Sequence, residues 1–372
     1  MTEIDVGWRT ALLFALSAPT ALAALIIGVR AAERPAFLWL TALLCIWCWH
    51  TIPFIIGFAG AYNAFPWLTF APFSMELWFG PLLYLHAFTL AYGKLRPCHW
   101  WWLAPGAAQF LYYCVCFVAL GDASAKFAFS IAFHEPYITP VESILGLCLG
   151  IAGMVLVVRL AGRYKLWLEQ RHAAADAYDP TWLKRFVMVT CLAIAIWGGF
   201  EIWGILFGTL RYIDTYWLYV AIGTIFLVVA FDALTKVDKL FPKIAALEPT
   251  QPSSSDPRVD VTVIAEKIRQ EGLHRDPDLN LARLARRVGT NESYLSRAIN
   301  TSAGVNFNRF INEIRVQEVC DRFRDPNEKR SILHTAMDSG FASKATFNRV
   351  FREITGETPG RWRRAAKERL NS

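Results

Sequence analysis

The sequence predicts an all-helical chain: a seven-helix transmembrane bundle, then a soluble domain of two helix-turn-helix units joined by a long helix. Three observations carry that prediction. Long apolar runs recur through the first two thirds of the 372 residues, the whole net charge of +7 sits in the last third, and apolar residues return there at helical spacing. Before Arg258 there are 16 Lys and Arg against 16 Asp and Glu, whereas from Arg258 onward there are 22 against 15. A basic excess confined to one domain points that domain toward a polyanion, either nucleic acid or an anionic membrane surface.

The apolar runs come first. Thr10 to Val29 carries no charge, and Pro35 to Met75 contains no Asp, Glu, Lys or Arg. A hydrocarbon core about 30 Å thick needs roughly 20 such residues per helix. The repeats predict seven spans, at about 10–29, 37–59, 68–92, 100–120, 140–160, 186–209 and 214–233. Glu76 interrupts the third. The first run is followed by Arg30, Glu33 and Arg34 instead of a small-residue cleavage site, so it reads as a retained helix.

Basic residues of short loops favour the cytoplasm. Alternate loops place Arg30, Arg34, Lys94, Arg96, Arg159, Arg163, Lys165, Arg171, Lys184, Arg185, Lys236, Lys239 and Lys243 on one side and only Arg9, Lys126 and Arg211 on the other. The expectation is an outside amino terminus and a cytoplasmic tail in a bacterial inner membrane. Six of the eight cysteines fall in predicted spans, so they form no disulfide framework, and the Cys45-x-x-Cys48 pair lacks the partner ligands of a metal site. Ionisable residues inside spans are expensive and therefore candidates for receiving a signal: His50, Glu76, His86, Glu142 and Glu201. Hydrogen-bonded packing is the competing reading for each. Trp100, Trp101, Trp102, Tyr212, Tyr216 and Trp217 lie near span ends, where interfacial aromatic belts form.

After the seventh span, helical character is expected to continue from Phe231 to Leu240 and to end at Pro242. The Pro- and Ser-rich stretch Glu248 to Pro257 reads as a flexible connector. The predicted domains are thus 1–240 for the spans, 241–257 for the linker and 258–372 for the tail. In the tail, Asn280 is placed to cap a helix from Leu281 to Val288 that Gly289 ends, and Asn291 to cap the next, from Glu292 to about Thr301. Two short helices around a Gly-containing turn form the helix-turn-helix pattern, whose second helix enters the major groove. A long helix, about Asn308 to Arg324, ends before Pro326. The pattern then repeats: Ile332 to Ser339, a turn at Gly340, and a helix from Ser343 or Lys344 to about Ile354.

The stretches "LARLARRVGTNESYLSRAINTSAGVNFNRFINEIRVQEV" and "ILHTAMDSGFASKATFNRVFREITGETPGRWR" resemble the DNA-binding domain of the AraC/XylS transcription regulators. Gly340-Phe341, Phe347, Phe351, Gly356, Thr358-Pro359 and Trp362 carry the resemblance, which covers about a quarter of the chain. It implies that Ser293, Ser296 and Arg297 on the first recognition helix, and Lys344, Ala345 and Arg349 on the second, face the bases. Arg297 and Arg349 have the fork that bonds two acceptors of guanine. Asn300, Thr346, Asn348 and Arg352 are placed for phosphate, which positions without specifying sequence. Ala345 stands where a polar residue is expected, and Ala342 where a capping Ser is usual. Leu284, Leu295, Ile299, Ile332, Phe341, Phe347 and Phe351 read as core.

Upstream of the tail the resemblance stops. A retinal protein would need a Lys in the seventh span, and Thr215 to Phe231 has none. No H-E-x-x-H, G-x-S-x-G or Gly-rich phosphate loop occurs, and Glu169-x-x-His172 is a single E-x-x-H without the second copy that a di-metal carboxylate site requires. The chain is therefore expected to be no enzyme and to use no cofactor. It reads as a one-component regulator that binds double-stranded DNA, sits in membrane lipid and answers an unknown signal or ligand. Homodimer pairing and contact with RNA polymerase fit that reading. The alternative is a transporter or membrane enzyme with an autoregulatory tail.

Overall fold

The computed structural model describes residues 4–31, 34–173, 175, 181–207, 212–238, 241–244 and 260–371. The chain divides into two compact units, Met1–Ala161 with Thr181–Ala245, and Gly162–Pro180 with Ala246–Ser372. The described residues are helical with no strand, only an isolated bridge between His172 and Asn280.

The first unit is built from helices α1 (Trp8–Arg30), α2 (Pro35–Phe58), α3 (Phe79–Tyr92), α4 (Ala104–Ala119), α5 (Thr139–Arg171), α6 (Thr181–Phe207) and α7 (Tyr216–Leu234). Among the described residues, five stretches are long and apolar enough to cross a membrane: α1, α2, Pro97–Ala119, Ala123–Arg171 and α7. Their outer faces match. Leu22, Leu25 and Val29 of α1 are 59%, 64% and 72% exposed, apolar surface that suits hydrocarbon and not water. Inside, Leu13, Ala24, Ile27, Leu44 and Leu85 are buried, and Ser17 and Thr51 pair their hydroxyls at 3.1 Å between α1 and α2.

The third predicted span is corrected. Helix begins only at Phe79 and has 14 residues, about 21 Å at 1.5 Å per residue, short of the core thickness. Pro66 opens a separate short 3₁₀ turn, Phe70 has φ 65°, and Glu76 sits in another 3₁₀ turn, Glu76–Trp78. Helix in the seventh span stops at Leu234 instead of running on to Leu240, and 235–238 form turns. The fifth runs longer than expected: α5 has 33 residues, about 50 Å. The connector Glu248 to Pro257 lies outside the described residues, as do Lys239, Leu240 and Arg211.

The second unit comprises α8 (Val261–Gln270), α9 (Leu281–Val288), α10 (Glu292–Ala298), α11 (Phe307–Arg324), α12 (Ile332–Asp338), α13 (Lys344–Thr355) and α14 (Pro359–Asn371). The caps expected at Asn280 and Asn291 form, accepting from the Arg283 and Tyr294 N–H groups, and Ser343 caps α13 by accepting from the Thr346 N–H. Helix α10 continues as a π-turn through Ala303. Helix α14 was not foreseen.

Two cores share α11. Its first half sends Phe307, Phe310, Ile311 and Ile314 into a cluster with Leu284, Leu295 and Ile299, while Val316, Val319 and Phe323 join Phe341, Phe347 and Phe351 in the other. Arg315 lies between them, 1% exposed. Its guanidinium donates to the His274 carbonyl at 2.7 Å, to Asp276 at 2.9 Å and to Ala173 at 3.3 Å. Gly340, at φ 95°, packs on the same backbone, where a Cβ would meet the His274 oxygen at 2.2 Å.

Removing a fork that satisfies three buried carbonyls should be costly. Arg315→Ala is expected to destabilise the second unit by on the order of 3 kcal/mol or more, and Arg315→Lys should rescue little, because one ammonium lacks the planar fork. Chemical denaturation of the chain, followed by circular dichroism, measures both.

Candidate nucleic-acid interface

Each recognition helix buries one side and offers the other. On α10, Leu295 and the following Ile299 are buried, whereas Ser293, Arg297 and Asn300 are exposed and Ser296 is half-buried. Ser293 and Arg297 are four apart and share a face. On α13, Phe347, Val350 and Phe351 are buried, while Lys344, Ala345, Asn348, Arg349 and Arg352 are exposed. Lys344, Asn348 and Arg352 follow one another at four-residue steps, with Ala345 and Arg349 alongside.

Two of these side chains have local partners. The Thr346 hydroxyl accepts from Ser343 Oγ at 3.0 Å, so it belongs to the cap of α13. Arg349 donates through Nη1 to both oxygens of Glu353, at 2.8 and 2.9 Å. Both residues are about half exposed, and an exposed i,i+4 pair is worth only about 0.3–0.5 kcal/mol. A stronger acceptor displaces it readily.

Other basic residues were not singled out in the sequence. Arg286 and Arg287 are exposed in the last turn of α9, the helix that crosses the phosphate backbone in helix-turn-helix docking. Their adjacency at a helix end was the signal. Arg361 and Arg364 are exposed on α14, while Arg363 is structural, donating to the carbonyls of Arg330 at 2.7 Å and Glu328 at 2.9 Å.

A segment far upstream in the chain also belongs to this unit. Ala173 is 1% exposed within the first core cluster, and its N–H donates to the Leu279 carbonyl at 2.9 Å. Asn308 Nδ2 donates to the Ala173 carbonyl at 2.8 Å. Arg171, the last residue of α5, donates to Glu292 at 2.6 Å, and Glu292 opens the first recognition helix. No local pattern in the sequence marks this segment as a partner of residues more than 100 positions away.

A family profile described as a helix-turn-helix domain matches residues 284–365. The regulatory protein SoxS of Salmonella typhimurium is 32% identical over 90 residues, 24% of this chain and 82% of SoxS. The chain belongs to the AraC-type helix-turn-helix family. Uncharacterized HTH-type transcriptional regulators of Staphylococcus aureus strains COL and MW2 are each 36% identical over 91 residues, 24% of this chain. The chain spans 12% of the length of those two relatives. No solved structure matches. These likenesses lie in the tail, and they support its function as a DNA-binding transcription regulator.

Among the upstream candidates, His86 is fully buried and its Nδ1 lies 2.7 Å from the Ala36 carbonyl, tying α3 to α2. Glu142 accepts from Gln109 Nε2 at 3.2 Å and from the Tyr113 hydroxyl at 3.0 Å. The Tyr112 and Tyr113 hydroxyls lie 3.0 and 3.3 Å from the two ring nitrogens of His134, which the sequence reading did not single out. His50 and Glu76 approach each other at 3.8 Å. The side chain of Glu201 lies outside the described residues.

Acid should loosen the tail. Burial pushes the Glu318 carboxyl up, but hydrogen bonds from His274 and Arg275 and the charges of His274 and Arg322 outweigh it and hold it at about 2, against an ordinary 4.5. Glu328 is held at about 2 chiefly by hydrogen bonds from Arg330. A depressed carboxylate stabilises the fold above its unfolded value, and that contribution is lost as pH falls through the folded one. The thermal midpoint of the second unit should therefore drop between about pH 4.5 and 2, and Glu318→Gln should make that drop shallower.

Proposed function

We propose that the chain is a membrane-bound one-component transcription regulator of a bacterial inner membrane, with its tail in the cytoplasm and its spans receiving the signal. The observation that carries the reading is the pairing, in one chain, of long apolar helices with a tail whose two recognition helices each expose an Arg opposite a buried apolar face. Ser293, Ser296 and Arg297 read one half of the site, and Lys344, Ala345 and Arg349 the other, with Ala345 offering only methyl contact. Asn300, Asn348 and Arg352 contact phosphate, joined by Arg286 and Arg287. Thr346 acts through the cap. Selection of duplexes from a random library by the full chain should enrich a site with two elements. Arg297→Ala should degrade one and Arg349→Ala the other, each by about 1–3 kcal/mol, and loss of both elements in either variant would overturn the assignment.

Coupling between signal and tail is assigned to α5. The helix places Gly162 to Arg171 in the second unit, and Arg171 grips the first residue of α10. A change at Arg171 is then felt where the first recognition helix begins. Coupling of about 1–3 kcal/mol alters occupancy roughly 5- to 150-fold. Arg171→Ala should change operator affinity or its response to signal several-fold in the full chain, and a variant indistinguishable from the parent in both would remove α5 from the pathway.

A further inference from the structure

The first unit contains a partly open cavity of about 110 Å³, well beyond the roughly 10–15 Å³ that a single water needs. Its wall includes Trp47, His50, Glu76, Phe79, Tyr219 and Phe226. The rings form a continuous aromatic surface: Trp47 stacks on Phe226 at 4.6 Å, Phe79 lies 6.0 Å from Phe226, and His50 lies 5.5 Å from Phe79 and 6.0 Å from Tyr219. Glycines make the room. Gly146 and Gly150 of α5 line the cavity, and a Cβ on Gly146 would meet the Trp197 ring at 2.8 Å.

The charges in the wall are one-sided. No Lys or Arg is among the described lining residues. His50 does not supply a cation, because its Nδ1 accepts the Met75 N–H at 3.2 Å, which leaves the ring proton on Nε2 and the imidazole neutral. Its contact with Glu76, through that same Nδ1 at 3.8 Å, therefore sets two acceptors side by side and is no ion pair. Trp47 is 2% exposed and its indole N–H is without a hydrogen-bond partner among the described residues. A buried donor left unmade costs about 1–3 kcal/mol.

We propose that this cavity binds a small organic cation, an ammonium or protonated amine on an apolar body of a few carbons, carrying a hydrogen-bond acceptor. Glu76 neutralises the charge, the aromatic faces attract it through their quadrupoles, and the acceptor takes the Trp47 N–H. An anion finds no cation in the wall, and a purely apolar occupant leaves both Glu76 and the Trp47 N–H unanswered. The inference rests on the reading of the first unit as the signal receiver for its biological meaning, and on the cavity alone for its chemistry.

Equilibrium dialysis of the full chain in maltoside micelles tests it, with choline, tetramethylammonium and benzyltrimethylammonium as probes and 3,3-dimethylbutan-1-ol as the neutral match to choline. At least one cation should bind saturably, with choline at least tenfold tighter than the alcohol. Glu76→Gln should abolish that preference, and Trp47→Phe, which keeps a ring and removes the N–H, should weaken choline several-fold while leaving tetramethylammonium, which has no acceptor, less affected. Circular dichroism and operator binding check that each variant is folded. The proposal is overturned if the folded parent binds none of the cations, if choline and the alcohol bind alike, or if folded Glu76→Gln binds choline as the parent does. Operator affinity measured with and without the probe separates the two readings. Saturable binding that leaves operator affinity unchanged supports the cavity and removes its role as the sensor, whereas absent binding with intact operator recognition overturns the cavity alone.

Discussion

The tail depends on one buried cation. Taking a guanidinium out of water is costly unless its donors are satisfied, and Arg315 spends its donors on backbone carbonyls instead of on a carboxylate. Burial pulls its pKa down to about 10, which still leaves it charged at neutral pH. The carbonyls it holds come from three places: the end of the α5 segment, the loop at His274, and Asp276 ahead of α9. A single side chain on the shared helix α11 thereby fixes the first helix-turn-helix unit to the axis that carries the second. Gly340 completes the junction from the other side, since only a residue without Cβ sits on the His274 carbonyl at that φ. Around this centre Glu318 gathers His274, Arg275 and Arg322. The two reading helices are held in fixed relation by polar contacts to backbone, and their apolar cores do not have to merge.

The first unit solves the opposite problem. Polar groups among apolar helices are expensive, and most of those seen here are answered locally. Gln109 is the link: its carbonyl accepts the Leu77 N–H at 3.3 Å, and its amide donates to Glu142. Irregular backbone before α3 is thereby given a partner, as non-helical backbone at membrane depth requires. Among the described residues of the first unit, the Trp47 and Trp78 indole N–H groups and the Thr10 and Thr89 hydroxyls are buried without a hydrogen-bond partner, and Trp47 and Glu76 line the same cavity.

Much of this was legible in residue order. Caps at Asn280, Asn291 and Ser343 are short-range events, decided within three residues, and the helices they start fall where the sequence puts them. Apolar runs likewise announce α1, α2 and α7, because length and hydropathy are local sums. The third span failed for a definable reason. Its composition is apolar, but the left-handed Phe70 and the 3₁₀ turn at Glu76–Trp78 break the backbone, and hydropathy does not register backbone geometry. The resemblance to AraC/XylS regulators placed Ser293, Arg297, Lys344 and Arg349 on the reading helices, where they are exposed, and the Thr346 hydroxyl is engaged by the cap of α13. The partnership of Ala173 with Leu279 and Asn308 was invisible, since long-range backbone hydrogen bonds leave no pattern in either segment.

That long-range partnership draws the residues just past α5 into the core of the second unit. The connector Glu248 to Pro257 lies outside the described residues. Helix α7 gives way to turns after Leu234. Helix α5 is different in kind. It is unbroken from Thr139 to Arg171, it holds Gly146 and Gly150 against the cavity at one end, and at the other Arg171 bonds the residue that opens the first recognition helix. Within the second unit, Arg171 reaches the residue that opens α10 while Ala173, two positions on, is packed in the core behind it, so the end of α5 and the start of the first recognition helix are held by the same cluster.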